Sequence, residues 1–185
     1  TFSRNQMQKS RLSIMHGHYL YFPIMKNVFV VFRDGRDIMV SFYFHSYFKN
    51  ELFNHILVDQ MRMKLPFDDY NDVEKNLPRF IEYKFTKKWP PRFTWSQFVD
   101  EWIDRNAAII KYEDLLQDPV NNVGKAIEKV IKMNVNYSCI TQIAEKYSFK
   151  NLSKRTSGFE NRSSFMRKGI SGDWKNYFNK EKYLT

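Results

Sequence analysis

A cationic turn follows an apolar run near residue 30. Arg33 comes directly after Val28–Phe32, a stretch of strand length. An arginine guanidinium offers paired N–H donors that match phosphate oxygens. Ser41 stands eight residues further on, where it adds a hydroxyl donor from a following helix. The alternative is a surface turn in which the charged residues among 33–37 pair with one another.

A second cationic segment lies near the carboxyl end of the sequence. Arg167 and Lys168 precede Gly169, where the backbone can come close to an anion because it carries no side chain. The Ser-Gly-Asp sequence at 171–173 can cap a following helix, and helix N-terminal N–H groups also favour anions. The alternative is a basic loop that only solvates the surface.

A third segment, Ile109–Leu115, places an aromatic residue at the tip of a predicted strand. Tyr112 at this tip is suited to packing against a nucleobase. The alternative is that it packs in the protein core, which the spacing alone favours.

These segments resemble parts of one enzyme family. The sequence Phe-Met-Arg-Lys-Gly-Ile-Ser-Gly-Asp-Trp-Lys-Asn-Tyr-Phe at 165–178 is similar, almost letter for letter, to the carboxyl-terminal signature of sulfotransferases that use 3′-phosphoadenosine-5′-phosphosulfate (PAPS). Residues 32–37 with Ser41 resemble the family's strand-loop-helix for the 3′-phosphate. Gly35 stands where the family usually has proline, which loosens the turn without removing the phosphate ligands. Segments 111–115 and 148–150 also resemble family segments, so the match runs from about His16 to the end.

The resemblance implies a reaction and a set of binding residues. PAPS is the implied co-substrate, no metal is implied, and a sulfuryl group is transferred to a hydroxyl or amine acceptor. Steroid, phenol, lipid, carbohydrate and peptide acceptors all stay open. The residues implied at the 3′-phosphate are Arg33, Ser41, Arg167, Lys168 and Gly169. Those implied at the adenine are Tyr112 and Phe149.

A histidine is the implied catalytic base, because an imidazole pKa lies near the working pH. The family typically carries this histidine after a strand, in a Lys-Thr-His-like context. His18 is favoured here, since His16 then falls where the family's lysine stands. In the alternative register His16 is the base. A His-x-His pair also suits a metal, but no third ligand is evident nearby.

One family element has no counterpart in this sequence. The amino-terminal loop of the Pro-Lys-Ser-Gly-Thr type binds the 5′-phosphosulfate, and nothing before Arg11 resembles it. We expect a fragment of a longer protein or a degenerate copy that only binds the nucleotide. The chain alone is expected to be catalytically feeble, because sulfuryl transfer depends on positioning and charge stabilisation. It is also expected to be marginally stable, with sheet edges exposed.

The composition restricts the partners. The net charge is +10, from 30 Lys and Arg against 20 Asp and Glu, which favours anionic partners. A doubly charged 3′-phosphate accounts for the cations, and no recognised nucleic-acid module supports the rival reading of an RNA- or DNA-binding protein. No run approaches the length of a membrane span. The single Cys139 and the resemblance suggest the cytoplasm, and a homodimer is compatible with the sequence.

The elements that must position these residues suggest an α/β fold. Buried strands are predicted at Asn27–Phe32 and Ala107–Tyr112, with strand-helix alternation typical of a mainly parallel sheet. Ligands then bind beyond the carboxyl ends of the strands, where the polar turns fall. We expect a single, partial domain over 1–185, with the P-loop-NTPase-like three-layer fold that the resemblance implies and its first strand missing.

The remaining elements are less regular. A short strand is predicted within 11–18, and prolines are expected to break 50–91 into short pieces. The aromatic residues of 47–91 form either an acceptor-side surface or core. The segment 149–164 is expected to be a loop. Helices are predicted from Ile38, at Thr94–Trp102, at Val120–Ile131, at Ser138–Lys146 and from Gly172.

Overall fold

The computed structural model describes residues 16–86 and 93–178. Most of the strand predicted within 11–18 lies outside these residues, and the described part, 16–18, is not in a strand.

Two parallel strands form the sheet of the described residues. β1 spans Phe29–Phe32 and β2 spans Ala108–Lys111, and they pair with Val30 opposite Ile109. Parallel strands need a long crossover connection, and here several helices lie between them in the chain. The predicted strands and the α/β class are therefore confirmed.

The continuous apolar run of β1 predicted burial on both faces of the strand, but only one face is buried. Val30 packs in a cluster with Trp102 and Ala107, but Phe29 and Val31 are 45% and 48% exposed. On the face that carries Phe29 and Val31, a later helix packs against Ala108 and Ile110 of the neighbouring strand β2, and Phe29 and Val31 are less covered. The apolar run gave the strand correctly and its burial wrongly.

The helices of the described residues are α1 Gly35–Tyr47, α2 His55–Lys64, α3 Val73–Thr86, α4 Trp95–Ile103, α5 Tyr112–Gln117, α6 Pro119–Ile131, α7 Tyr137–Lys146 and α8 Phe149–Ser153. A 3₁₀-helix follows at Asp173–Asn176.

α1 begins at Gly35 rather than at Ile38, because the turn before it caps the helix. The Asp34 carboxylate accepts the backbone N–H of Arg36 at 2.9 Å, which satisfies a donor that the first helical turn leaves free. The residues at 34–37, which the sequence predicted as a turn, are therefore the cap and the first turn of the helix.

Two helices, α2 and α3, occupy much of the segment expected to be broken by prolines. Pro78 lies inside α3, although an internal proline removes one helical hydrogen bond. Leu77 and Phe80 on either side of it are fully buried in the main core cluster with Tyr43 and Tyr47 of α1. Core packing therefore outweighs the local penalty.

The aromatic residues of this segment divide between core and surface. Phe80 is buried, and Phe67 and Tyr70 pack against the core cluster. Phe53 and Phe85 are 83% and 62% exposed. The core interpretation holds for the first group, whereas the second leaves apolar rings on the surface.

Predictions for the later helices were mostly confirmed. Thr94, where the helix was predicted to begin, caps α4 through a capping box with Gln97. Helices α6 and α7 start one residue earlier than predicted. The segment from 149 is not all loop, because Ser148 caps the short helix α8 by accepting the N–H of Asn151. The helix predicted from Gly172 is a single 3₁₀ turn.

Candidate functional site

Arg33 lies at the carboxyl end of β1, where ligands bind in parallel sheets. Its guanidinium carbon is 4.6 Å from the centre of the Tyr112 ring, and its carbonyl accepts the indole N–H of Trp95 at 3.0 Å. Its Nε is buried and has no hydrogen-bond partner among the described residues. An arginine N–H that is buried without an acceptor is costly, so the packing of Arg33 over the Tyr112 ring must offset this cost.

One ion pair of the kind that the surface-turn alternative predicts is present in the turn. Arg36 binds Asp34 through two hydrogen bonds of 3.0 and 2.6 Å. The Arg36 guanidinium carbon also lies 3.6 Å from the ring centre of Trp174. Arg33 takes no part in this pairing, so the surface-turn alternative does not account for it.

Gly35 does not need to be glycine for backbone reasons, because its φ is not positive. A methyl group there would lie 3.5 Å from the Trp95 ring, an ordinary contact. Replacing the family's usual proline with glycine at this position leaves α1 and its cap intact.

Asp37 joins the two cationic segments. It is 1% exposed, and its carboxylate accepts the backbone N–H groups of Gly172 at 2.6 Å and Trp174 at 2.9 Å. The strand-turn-helix that carries Arg33 is therefore in direct contact with the carboxyl-terminal segment. No local pattern signalled this role, since Asp37 was read as a member of the charged turn.

Asp173 forms ion pairs with both cations of the second segment, Arg167 and Lys168. It is buried, and its carboxylate accepts from Lys168 at 2.6 Å and also pairs with Arg167. Burial raises the pKa of Asp173, but the hydrogen bonds from Lys168 and Arg167 outweigh burial and hold the pKa below its ordinary value. The two predicted cations are thus brought together around one carboxylate.

Arg167 is shared between two carboxylates. It pairs with Glu160 as well as with Asp173, and its side chain is 10% exposed. Burial lowers the pKa of Arg167, but these carboxylates raise it above its ordinary value. Glu160 was missed by the sequence reading, because it lies in a polar stretch with no distinguishing spacing.

Gly169 packs against Phe149. Its φ is +66°, and an added methyl group would overlap the Phe149 ring. These two predicted site residues therefore lie side by side, and glycine is required here both by the backbone and by the ring.

Arg155 holds the loop that leads into the second segment. Its guanidinium donates to the backbone carbonyls of Phe159 and Arg167 at 2.8 and 2.9 Å, and a third bond reaches Met166. This role was also missed, because a single arginine in a Ser, Lys and Arg stretch gives no signal.

Ser41 lies in α1 one turn after Asp37, so both residues share a face of the helix. Tyr112, predicted at a strand tip, is the first residue of α5, directly after β2. It is half-buried under Arg33.

The two histidines proposed as base are exposed. Their ring centres are 6.3 Å apart in an edge-on arrangement. Within 16–86 and 93–178, no hydrogen bond or ion pair joins either imidazole to Arg33, Arg167 or Lys168. The geometry does not choose between His16 and His18. The described part of the chain also contains no group of three potential metal-ligating side chains.

Comparison with known proteins decides the family. Residues 3–184 match the model of the sulfotransferase domain. The chain belongs to this family. Among its curated relatives, sulfotransferase 6B1 of Danio rerio is 28% identical over 94% of the chain and 55% of that protein. Sulfotransferase 1B1 of Canis lupus familiaris is 31% identical over 79% of the chain and 47% of that protein.

A solved structure supports the fold. Mouse sulfotransferase SULT7A1 complexed with PAP superposes with a TM-score of 0.53, covering 83% of this chain and 53% of that one, at 21% identity. The predicted P-loop-like α/β class of this sulfotransferase domain is therefore confirmed. The chain spans about half the length of the relatives it matches. None of the described helices is long and apolar enough to cross a bilayer.

Acid is expected to weaken the ion pairs around Arg167. Burial raises the pKa of Glu160, but Arg162 and Arg167 lower it below its ordinary value, and the pKa of Asp173 is lowered too. A carboxylate whose folded-state pKa is lowered stabilises the fold above its ordinary pKa, and this contribution is lost as the pH falls below about 4.

Urea unfolding of the wild type and of Glu160→Gln at about pH 7 and about pH 3 tests this loss of stability in acid. The variant should lose less stability on acidification, and an equal loss in both proteins would contradict the expectation.

Proposed function

We propose that this sulfotransferase domain binds PAPS through its 3′-phosphate. Arg33 and Ser41 approach the phosphate from the β1–α1 side, and Arg167, Lys168 and Gly169 approach it from the other. The observation that carries the proposal is the direct bonding of these two segments through Asp37, because it joins the segment that carries Arg33 to the one that carries Arg167 and Lys168. The guanidinium of Arg33, which takes no part in the ion pair of Arg36 with Asp34, would supply paired donors to phosphate oxygens.

The residues present fit a doubly charged phosphate. Arg33 and Lys168 supply charge-assisted donors, and Lys168 uses one of its three N–H groups on Asp173. The half-buried Tyr112 ring lies against Arg33, and the half-buried Phe149 ring packs on Gly169, the residue after Lys168, which suits an adenine ring beside its ribose phosphate. PAPS supplies a sulfuryl group with 3′-phosphoadenosine 5′-phosphate (PAP) as the leaving group.

For the transfer itself, we take His18, or His16 in the other register, as the general base. The imidazole removes the proton from an acceptor hydroxyl or amine. The acceptor oxygen or nitrogen then forms a bond to sulfur while the bond from sulfur to the bridging phosphate oxygen breaks. We further propose a single sulfotransferase domain located in the cytoplasm, as Cys139 and the resemblance suggest.

Binding of PAP tests the proposal. We expect the 185-residue chain to bind PAP more tightly than adenosine 5′-monophosphate (AMP) in calorimetric titration, since only PAP carries the 3′-phosphate. Arg33→Ala and Arg167→Ala should each weaken PAP binding by about ten- to a hundredfold, the effect of a charge-assisted hydrogen bond. Neither should change the affinity for AMP by a comparable factor.

Arg105→Ala is the matched control. Its guanidinium carbon also lies over a tyrosine ring, 4.2 Å from the centre of Tyr21, but Arg105 follows the end of α4 at Ile103 and lies outside both cationic segments. This variant should bind PAP like the wild type. Equal affinity of the wild type for PAP and AMP would overturn the proposed function. Tight, steeply salt-dependent binding of an oligonucleotide, with no preference for the 3′-phosphate, would favour a nucleic-acid protein instead.

A further inference from the structure

Asp37 has two carboxylate oxygens and both are used by the backbone of a distant segment. The acceptor for Gly172 is Oδ2 and the acceptor for Trp174 is Oδ1. The side chain is almost completely excluded from solvent, and a buried carboxylate is stable only where donors satisfy it. Here backbone N–H groups supply those bonds, so the position of Asp37 and the conformation of 172–174 depend on each other.

The two N–H groups flank the residue that organises the second segment. Between Gly172 and Trp174 stands Asp173, whose carboxylate holds Arg167 and Lys168. Because the backbone is held on both sides of Asp173, the position of the Asp173 carboxylate relative to Arg167 and Lys168 is also held. A displacement of this backbone would move Arg167 and Lys168 together.

On its own helix, Asp37 lies between the residues of the first segment. It follows Arg33 by four residues and precedes Ser41 by four, and in α1 a spacing of four places Asp37 and Ser41 on one face. A second contact reinforces the connection, because Arg36 from the first turn of α1 lies over the ring of Trp174. Asp37 therefore helps to set the position of the second segment on α1, together with the packing of Arg167 against the ring of Phe44.

We propose that Asp37 is a positioning residue for nucleotide recognition: it fixes the carboxyl-terminal segment on α1 so that Arg167 and Lys168 reach the same 3′-phosphate as Arg33 and Ser41. This inference rests on the proposed function. Asp37 itself does not bind the nucleotide, and its effect is specific to the 3′-phosphate.

The variant Asp37→Asn tests this role. An asparagine of the same size can accept only one of the two N–H groups, because its amide nitrogen is a donor. We expect its affinity for PAP to fall about tenfold, as for a buried donor left without an acceptor, whereas its affinity for AMP stays within about twofold of the wild type. The probes are PAP and AMP, titrated into the full 185-residue chain.

A matched control separates positioning from general destabilisation. Asn76→Asp makes the reverse exchange at another buried position, where the amide donates to the Tyr43 hydroxyl and the Asp69 carbonyl at 2.9 and 2.8 Å. It should lower stability while leaving the ratio of PAP to AMP affinity unchanged. If Asp37→Asn weakens both ligands equally, as a merely structural role requires, the inference is wrong.

A second variant keeps the test decisive if Asp37→Asn does not fold. Asp37→Glu retains both acceptor oxygens but moves them by one methylene, so the same selective loss of PAP affinity is expected. Wild-type affinity for PAP in either variant overturns the inference while leaving the proposed function intact. If the wild type binds PAP and AMP with equal affinity, the proposed function itself is wrong. This result is obtained before any variant is compared.

Discussion

Replacing Asp173 by alanine is expected to lower the free energy of unfolding by about 3 kcal/mol or more, the usual cost of removing one partner from a buried ion pair. The carboxylate is 2% exposed and accepts from Lys168 and Arg167, whose side chains are 19% and 10% exposed. It also accepts from the Asn176 amide at 2.8 Å. Alanine leaves these donors partly buried without their acceptor, and Glu160 can compensate for Arg167 only.

Asp59→Ala provides the comparison in urea unfolding. Asp59 pairs with Lys49 at 3.2 Å, but both side chains are 58% exposed, and exposed ion pairs contribute about 1 kcal/mol or less. The expected difference between the two variants therefore comes from burial. Similar losses of stability in Asp173→Ala and Asp59→Ala would show that the Asp173 cluster behaves as a surface network.

What the sequence predicted well was local. The run of apolar residues before Arg33 predicted β1, and the helix predicted over Thr94–Trp102 is α4, which Thr94 caps. Such features depend on residues that are near one another in the chain. The resemblance selected Arg167, Lys168, Phe149 and Gly169 as site residues. The structure brings the first two to Asp173 and packs the last two together, while their part in binding stays a prediction.

What the sequence did not predict depends on contacts across the fold. Asp37 reads locally as part of a charged turn, and only tertiary structure brings it to Gly172 and Trp174. Pro78 reads as a helix breaker, but the burial of Leu77 and Phe80 keeps it inside α3. In both cases a long-range contact outweighs a local preference, and no spacing rule encodes that contact.

The exposure of Phe29 and Val31 has the same origin. A continuous apolar run is typical of a strand that is buried on both faces. Burial also requires a neighbouring element that packs against each face. Among the described residues, the main helical partner of β2 on that face is α6, through Ala126. Whether a strand is covered is a property of the arrangement and not of the strand's own residues.

Gly169→Ala is expected to have the second large effect, on stability and on nucleotide binding together. Alanine at a φ of +66° costs about 1–2 kcal/mol in the backbone. The added methyl group also overlaps the Phe149 ring, so either the ring or the backbone beside Lys168 must move. We expect a loss of unfolding free energy above the backbone cost, and a loss of PAP affinity of about a hundredfold because several cations are displaced together.

Gly172→Ala isolates the backbone cost of the substitution. Gly172 has a similar φ of +75°, but a methyl group there would meet no atom within 4 Å. The steric part is measured by a double-mutant cycle with Phe149→Ala. In that background the overlap is gone, and Gly169→Ala should cost no more than Gly172→Ala does. If Gly169→Ala and Gly172→Ala are equally destabilising in the presence of Phe149, the close packing of Gly169 on that ring makes no contribution, and the case for glycine at this position reduces to its backbone conformation.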